Sequence, residues 1–472
     1  MAKDLRKVYV DHGQGHVFDH WGELSPSQQL ALLEQLESID VTKLTDYLNA
    51  AKREIASSNH KGDNNIQPFS GTIGSASTCP DAQAIGMKAI QKNSVATVLL
   101  AGGQGTRLGF DGPKGMYDIG LPSKKTLFCL IAERLLKLIQ LASSSNETDI
   151  SIRIPLYVMT SPMNHDITKE YFVSNDFFGL PADDVIFFSQ GVLPCLDSEG
   201  KILMESTFQC AMAPDGNGGI YPAMEKCGIL TDMSNRGIKH IHVFAIDNAM
   251  VKPADPFFMG YCISQSADCG NKVLWKNDPH EKVGVIAEKD KKPCVVEYSE
   301  LSEEMAEKIV DVDGSTRLAF GAANIANHYY HLDFLRQTVL PNFGNIFHIA
   351  HKKIAVWDNH LKQTVTPSSN NGIKLESFIF DVFPLSARMA IYEVERDHEF
   401  APVKNAPGEL TDSPDTARAY ISNMSKDWLR SVCAKLIGEE DNTICEIVPL
   451  TSYAGEGLEG YRDKEIMTPF LL

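Results

Sequence analysis

"VLLAGGQGTRLGFDGPKG" runs from Val98 to Gly115. An apolar run stops abruptly in a loop that carries Gly102, Gly103 and Gly105, then Thr106 and Arg107. A Pro113-Lys114 pair follows. A loop of this kind suits a phosphate, because glycines let the backbone come close and present N–H donors. Spacing separates three types. A Walker A loop needs Gly-Lys-Ser/Thr, but Lys114 lies between Pro113 and Gly115, so that reading fails. The dinucleotide fingerprint, counted from Gly103 and Gly105, needs a glycine at 108, where the chain has Leu108. What fits is L-x-x-G-x-G-T-x-M/L-x4-P-K, filled by Leu100, Gly103, Gly105, Thr106, Leu108, Pro113 and Lys114. Such a loop binds a nucleoside triphosphate without a Walker lysine. Thr106 can donate its hydroxyl to a phosphate oxygen, Arg107 offers a planar fork and Lys114 a point charge.

Outward from the loop, similar apolar runs recur: "IPLYVMTS", "DVIFFSQG", "IKHIHVFAIDN", "KVGVIAE" and "PCVVEYSE". Helical patterns lie between several of them, notably "DAQAIGMKAIQK" and "KKTLFCLIAERLLKLIQLA". Near-continuous apolar strands alternating with helices predict an α/β fold with a mostly parallel sheet covered on both faces. Ligands of such sheets bind at the carboxyl ends of the strands, so the residues just past each run are the ones to inspect. Upstream, "SPSQQLALLEQLESID" begins with Ser25 as N-cap and Pro26 at the first helical position, and "VTKLTDYLNAAKREIAS" reads as a second helix. "EKDKKP" is expected to turn a hairpin and "TPSSNNG" to be a loop. "NAPGELTDSPDTAR" suits a linker, and "SKDWLRSVCAKLIG" a last helix before short β-like pieces. The expected organisation is a helical region over 1–80, a catalytic domain over 81–405 and a small C-terminal α/β domain over 406–472.

Composition excludes some classes. A formal net charge of -17 argues against nucleic-acid and anionic-membrane partners, so an anionic ligand must be drawn in by a local cationic site. No secretory leader is read at the N-terminus and no apolar run reaches the roughly 20 residues that span a bilayer. The 10 cysteines contain no C-x-x-C pair and read as reduced thiols of a cytoplasmic protein. His240, His242, His328 and His331 sit within apolar segments and read as packed or solvated side chains rather than metal ligands.

The glycine-loop pattern resembles the signature of the sugar nucleotidyltransferases, and "LAGGQGTRLG…PKG" is similar to the eukaryotic UDP-N-acetylhexosamine pyrophosphorylases in particular. The resemblance extends, in the family's order, through "FFSQG" (Phe187–Gly191), "PDGNGG" (Pro214–Gly219), "FAIDN" (Phe244–Asn248), "VVEYSE" (Val295–Glu300), "ANIANH" (Ala323–His328), "GIKLESFIFDVF" (Gly372–Phe383) and "FAPVKNA" (Phe400–Ala406). It implies a Rossmann-like nucleotide-diphospho-sugar transferase core with a helical N-terminal region and a small β-containing C-terminal domain. The implied reaction joins UTP to an N-acetylhexosamine-1-phosphate and releases pyrophosphate. Rival readings are a UDP-glucose or broad-range UDP-sugar pyrophosphorylase, and a non-catalytic nucleotide-sugar sensor on the same scaffold.

Residue by residue, the resemblance implies that Leu100, Ala101, Gly102, Gly103, Gly105 and Thr106 wrap the nucleotide, with Arg107, Lys114 and Lys404 as the catalytic cations. Gln190 would pair with the uracil edge, Gly216 would let backbone approach the base, and Lys374 would contact phosphate. Asn217, Gly284, Glu297, Tyr298 and Asn324 would form the sugar pocket. The chain reads Gly321-Ala322-Ala323 where the family would place Asn-Ala-Gly. Asp247, at the end of an apolar run, would hold Mg²⁺ (or Mn²⁺), while its neighbour Asn248 can close an Asx turn. A monomer or homodimer is expected.

Overall fold

The structure is a computed structural model that describes residues 2–60, 65–146, 150–312, 314–343, 347–440 and 443–472. The chain forms two compact units that do not follow chain order. One comprises Met1–Asn65, Gln190–Ala223 and Val339–Val382; the other Ile66–Ser189, Met224–Thr338 and Phe383–Leu472. This grouping by contact differs from the expected division at residues 80 and 405.

The larger unit is built on an 11-stranded sheet. Its main path runs Ile73–Gly74, Met389–Glu393, Cys269–Trp275, Ala322–His331, His240–Ala245, Val95–Leu100, Leu156–Thr160 and Val185–Ser189. Neighbours along this path are parallel, except that Ala322–His331 runs antiparallel to both strands beside it. The reason for the apolar runs is burial on both faces: every residue of Val95–Leu100 and of Leu156–Thr160 is buried. The helix Leu127–Ser144 starts at Thr126, whose hydroxyl accepts from Cys129 N, and buries Leu127, Leu130, Ile131, Leu135 and Leu138 in the core beneath these strands. The hairpin around "EKDKKP" forms as expected, Val285–Lys289 pairing with Lys292–Val296.

Two expectations near the C-terminus need correction. The segment read as a linker already contains the start of a helix, Pro414–Ser431, for which Ser413 provides a capping box with Thr416. That helix ends before "AKLIG", which becomes the strand Lys435–Ile437 paired in parallel with Glu465–Met467. The Pro, Asp and Gly that suggested a linker are the turn and the cap of the helix. Leu429, Ala434, Cys445, Ile447, Leu458 and Phe470 form a small core of their own there.

The other unit holds the helices Ala2–Asp11, Pro26–Ser38 and Val41–His60. The second begins with the expected Ser25 cap, completed into a capping box by Gln28. They bury Tyr9, Leu32, Leu36, Leu44 and Leu48 against Leu196, Ile202, Phe347, Ile373 and Leu375, the last two from the strand Gly372–Glu376. The cysteines are all free, and no described helix is long and apolar enough to cross a membrane.

Candidate active site

The loop after Val95–Leu100 is fixed at both ends. Ala101 N donates to Met159 O at 2.7 Å, and Ala101 O accepts from the amide of fully buried Asn164 at 3.1 Å. Gly105 N donates to Gly112 O at 2.8 Å and Lys114 N to Gly103 O at 3.1 Å, so Gln104 bridges to Pro113. The distant Pro-Lys pair is therefore the other side of the same loop. Its glycines have different duties. A Cβ on Gly105 would come within 2.7 Å of the Phe110 ring, so this glycine serves the loop's own packing. A Cβ on exposed Gly103 would meet nothing within 4 Å, which leaves backbone open to a ligand. Buried Leu108 anchors the short turn Thr106–Leu108 and leaves Thr106 and Arg107 exposed.

Four of the expected charged residues share one electrostatic neighbourhood. Burial lowers the Lys114 ammonium below its ordinary pKa, Asp247 pulls it back up, and Lys404 and Arg107 lower it further. Asp247 lies just past the strand His240–Ala245, at its carboxyl end. Its carbonyl accepts from Val403 N at 2.8 Å, and Ala249 N donates to Ala401 O at 3.0 Å. Lys404 thus follows directly on a residue hydrogen-bonded to Asp247.

The side chain of Asn248 completes this stitch. Its Nδ2 donates to Glu399 O at 2.8 Å, and its Oδ1 accepts from Met250 N at 3.1 Å and Ala401 N at 3.0 Å. The Asx turn at Asn248 does form, beside a half-buried Asp247. Glu399 in turn holds two lysines, Lys252 and Lys272, each at 2.8 Å, and fully buried Lys272 reaches Asp255 at 2.5 Å. Beyond Lys404, the carbonyl of Asp412 accepts from Lys404 N and Asn405 N at 2.7 and 2.9 Å and closes the loop. Burial raises the Asp412 carboxyl, Lys404 lowers it and Asp247 raises it, so this carboxyl also feels the cluster. Asn248, Glu399 and Asp412 were missed as site residues. Asn248 and Glu399 flank motif residues, but their contacts join chain segments about 150 positions apart.

Three of the expected sugar residues meet at one sheet corner of the same unit. Asn324 N donates to Gly284 O at 2.9 Å, and a Cβ on Gly284 would lie 3.2 Å from Glu297 Oε1. Asn324 Oδ1 accepts from Ala326 N at 3.2 Å, which leaves its Nδ2 to act as donor. Tyr298 is exposed.

Gln190, Gly216, Asn217 and Lys374 belong to the other unit. Gly216 has φ +87°, and a Cβ there would come 2.2 Å from Ser377 O, so the protein's own backbone already demands a glycine. Asn217 Oδ1 accepts from Ile379 N at 2.9 Å, so the side chain is oriented with its Nδ2 as donor. Lys374 sits half-buried in the strand Gly372–Glu376, opposite Ala350.

Of the four histidines named above, His242 and His328 are fully buried and His240 and His331 are half-buried. Burial lowers His240 and His242 to about 4, and His328 is lowered in the same way. Among the described residues, no three His, Cys, Asp or Glu side chains gather so as to hold a metal ion. A cavity of about 1040 Å³ opens beside the Lys252–Asp255–Glu399 network, and none of the glycine-loop residues lines it.

Residues 47–427 match the model of the UTP–glucose-1-phosphate uridylyltransferase family. The chain belongs to this family. Within it, the chain is 40% identical to UDP-N-acetylglucosamine pyrophosphorylase of Saccharomyces cerevisiae, covering 98% of this chain and 97% of the relative. It is also 40% identical to UDP-N-acetylhexosamine pyrophosphorylase-like protein 1 of Xenopus tropicalis, over 100% of this chain and 96% of that one. Among solved structures, the uridine diphosphate N-acetylglucosamine pyrophosphorylase of Trypanosoma brucei, in complex with an inhibitor, superposes with a TM-score of 0.83 at 30% identity, covering 97% of this chain and 94% of that chain. The UDP-glucose pyrophosphorylase of Leishmania major matches at 17% identity with a TM-score of 0.59, over 85% of this chain and 80% of that chain, a likeness of fold.

Proposed function

We propose that this protein is a UTP:N-acetyl-α-D-glucosamine-1-phosphate uridylyltransferase that forms UDP-N-acetylglucosamine and pyrophosphate. The observation that carries this reading is the grouping of Arg107, Lys114, Asp247 and Lys404 around the glycine loop. Its support is the set of full-length relatives named for that activity. A sugar-phosphate oxygen attacks the α-phosphorus of UTP in line, and the bond from that phosphorus to the bridging oxygen of pyrophosphate breaks. Such a step asks the protein for position and charge neutralisation, not for a covalent nucleophile. Gly103 offers open backbone to the triphosphate, and Thr106 a hydroxyl. Arg107, Lys114 and Lys404 neutralise the charge that grows on the departing pyrophosphate, and Lys374 adds a further phosphate contact. Gln190, as donor and acceptor together, pairs with the uracil edge. Glu297 and Asn324 hydrogen-bond the amino sugar, in a pocket completed by Gly284 and Tyr298, and Asn217 keeps the sugar role that the resemblance implies.

A carboxylate beside a polyphosphate cradle suits Mg²⁺ or Mn²⁺, whose remaining ligands are phosphate oxygens and water. Asp247 would hold it, and when bound it would supply Lewis-acid neutralisation of the phosphates. The test is pyrophosphate release from UTP and Mg²⁺ with GlcNAc-1-phosphate, GalNAc-1-phosphate and glucose-1-phosphate side by side. Rapid release with the N-acetylated sugars and little with glucose-1-phosphate is expected. A preference for glucose-1-phosphate would move the assignment to a UDP-glucose enzyme, and UTP binding without release would make the protein a sensor.

A further inference from the structure

The motif Pro214–Gly219 contains one titratable group with no role in the chemistry above, Asp215. Its residue is 8% exposed, and its Oδ1 is buried with no hydrogen-bond partner among the described residues. Two glycines enclose the carboxyl. A Cβ on Gly191 would lie 2.4 Å from Oδ2, and one on Gly219 would lie 2.0 Å from Oδ1. Neither position can carry a side chain while Asp215 keeps its place. The surrounding backbone is tied to the same point. Asp215 N donates to Gly191 O at 3.3 Å, while Asp215 O accepts from Ser377 N at 2.8 Å and from Ser377 Oγ at 3.2 Å. Gly218 N donates to Ser377 O at 2.9 Å.

A buried carboxyl with an unmet oxygen is costly, and an apolar side chain of similar size would remove the cost. Burial also pushes this carboxyl up to about 6, against the pull of its own backbone amide. What the group does touch is informative. Gly191 directly follows Gln190, and Gly219 closes the turn that carries Asn217. One side chain therefore sets the spacing between the segment bearing the base reader and the turn bearing a sugar contact.

We propose that Asp215 is a positioning residue for base recognition: its carboxyl, wedged between Gly191 and Gly219, holds Gln190 at the angle that distinguishes uracil from cytosine. The proposal rests on the reading of Gln190 given above. The test is kcat/KM for UTP and for CTP with GlcNAc-1-phosphate in the parent and in Asp215→Ala, Asp215→Asn, Gly191→Ala and Gln190→Ala. Asp215→Ala is expected to lower the UTP-to-CTP ratio roughly tenfold or more, chiefly through KM for UTP. Asp215→Asn, which keeps the shape, should restore most of the ratio. Gly191→Ala, which presses on the carboxyl from the other side, should lower the ratio as Asp215→Ala does, and it carries the test if Asp215→Ala does not fold. A merely structural role would depress both nucleotides together and leave the ratio unchanged. A ratio that falls in Gln190→Ala but not in Asp215→Ala or Gly191→Ala would overturn the role of Asp215 alone. An unchanged ratio in Gln190→Ala would overturn the reading of Gln190 and the proposal with it.

Discussion

Lys272 is the side chain whose removal should be felt most widely. It is fully buried on the strand Cys269–Trp275, and its ammonium lies 2.5 Å from Asp255 and 2.8 Å from Glu399. Asp255 also caps the helix Pro256–Ser264 through Phe257 N, and Glu399 keeps a second partner in Lys252. Lys272→Met keeps the length of the side chain and deletes the charge. Asp255 then loses the only cation the structure places against it among the described residues, while Glu399 keeps one of two. Breaking a buried ion pair by removing one partner costs about 3–5 kcal/mol, because the other charge stays desolvated. For a chain of 472 residues that corresponds to a fall in Tm of roughly 3–5 °C. Urea unfolding should show the loss directly.

The pH dependence has a defined sign. Burial alone would raise the Glu399 carboxyl, but Lys252 and Lys272 outweigh it and hold it below its ordinary value. A depressed carboxylate contributes stability above its unfolded pKa and loses it as pH falls. With Lys272 gone the depression is smaller and protonation relieves the orphaned Asp255 charge, so the stability gap between parent and variant should shrink as pH falls. Adding Asp255→Asn, which removes the orphaned charge and keeps an acceptor for the cap, should recover part of the loss. A Lys272→Met protein within about 0.5 kcal/mol of the parent would refute the reasoning, since surface substitutions alone stay inside that range.

The other expected outcomes are narrower. Lys404→Ala should lower kcat/KM for UTP by about two orders of magnitude, as for loss of a charged phosphate contact; unchanged kinetics would remove Lys404 from the site. Asp247→Asn should raise the Mg²⁺ concentration for half-maximal pyrophosphate release by about tenfold or more, and an unshifted titration would place the metal elsewhere. Gly216→Ala forces φ +87° on a residue with a Cβ and drives that atom to 2.2 Å from Ser377 O. A loss of roughly 2 kcal/mol or more is expected by urea unfolding, and a fully stable variant would mean that the turn relaxes freely. The Asp215 carboxyl, at about 6 against an ordinary 3.8, favours the protonated folded state, so its stability is present at low pH and lost as pH rises to about 6. Asp215→Asn should abolish that loss, worth about 3 kcal/mol, and leave a flatter stability profile between pH 4 and 7; a parent with no such slope would argue against it.

How much of this was legible in the chain depended on whether the signal was local. Apolar runs buried on both faces gave the strands, and Ser25 and Pro26 gave a helix start, because the period and the cap are properties of neighbouring residues. The same local reasoning fails at Asn405–Arg418, where turn residues suit a linker although Ser413 and Pro414 are also a helix start. The glycine loop was readable because its spacing encodes one hairpin-like turn, Gly103 and Gly105 facing Lys114 and Gly112. The division of the chain was not. The strand Gly372–Glu376 packs with the first helices through Leu196, Ile373 and Leu375, and nothing in those segments marks the pairing.

Gly216 shows that the fold itself can require a motif glycine that is also expected beside a ligand. Ser377 O occupies the space a Cβ would need before any ligand arrives. Gly105 is the same case, with the Phe110 ring in that space. Gly103 differs, since nothing stands in the way of a side chain there and exposure leaves the backbone accessible. Two of these three glycines are accounted for by folding, and the third is left for a ligand. In the proposed reading the functional part of the loop is the glycine that the fold does not need, with Arg107 and Lys114 beside it. That pairing of open backbone and cations is how a chain with a net charge of -17 can still present a binding site for a polyphosphate.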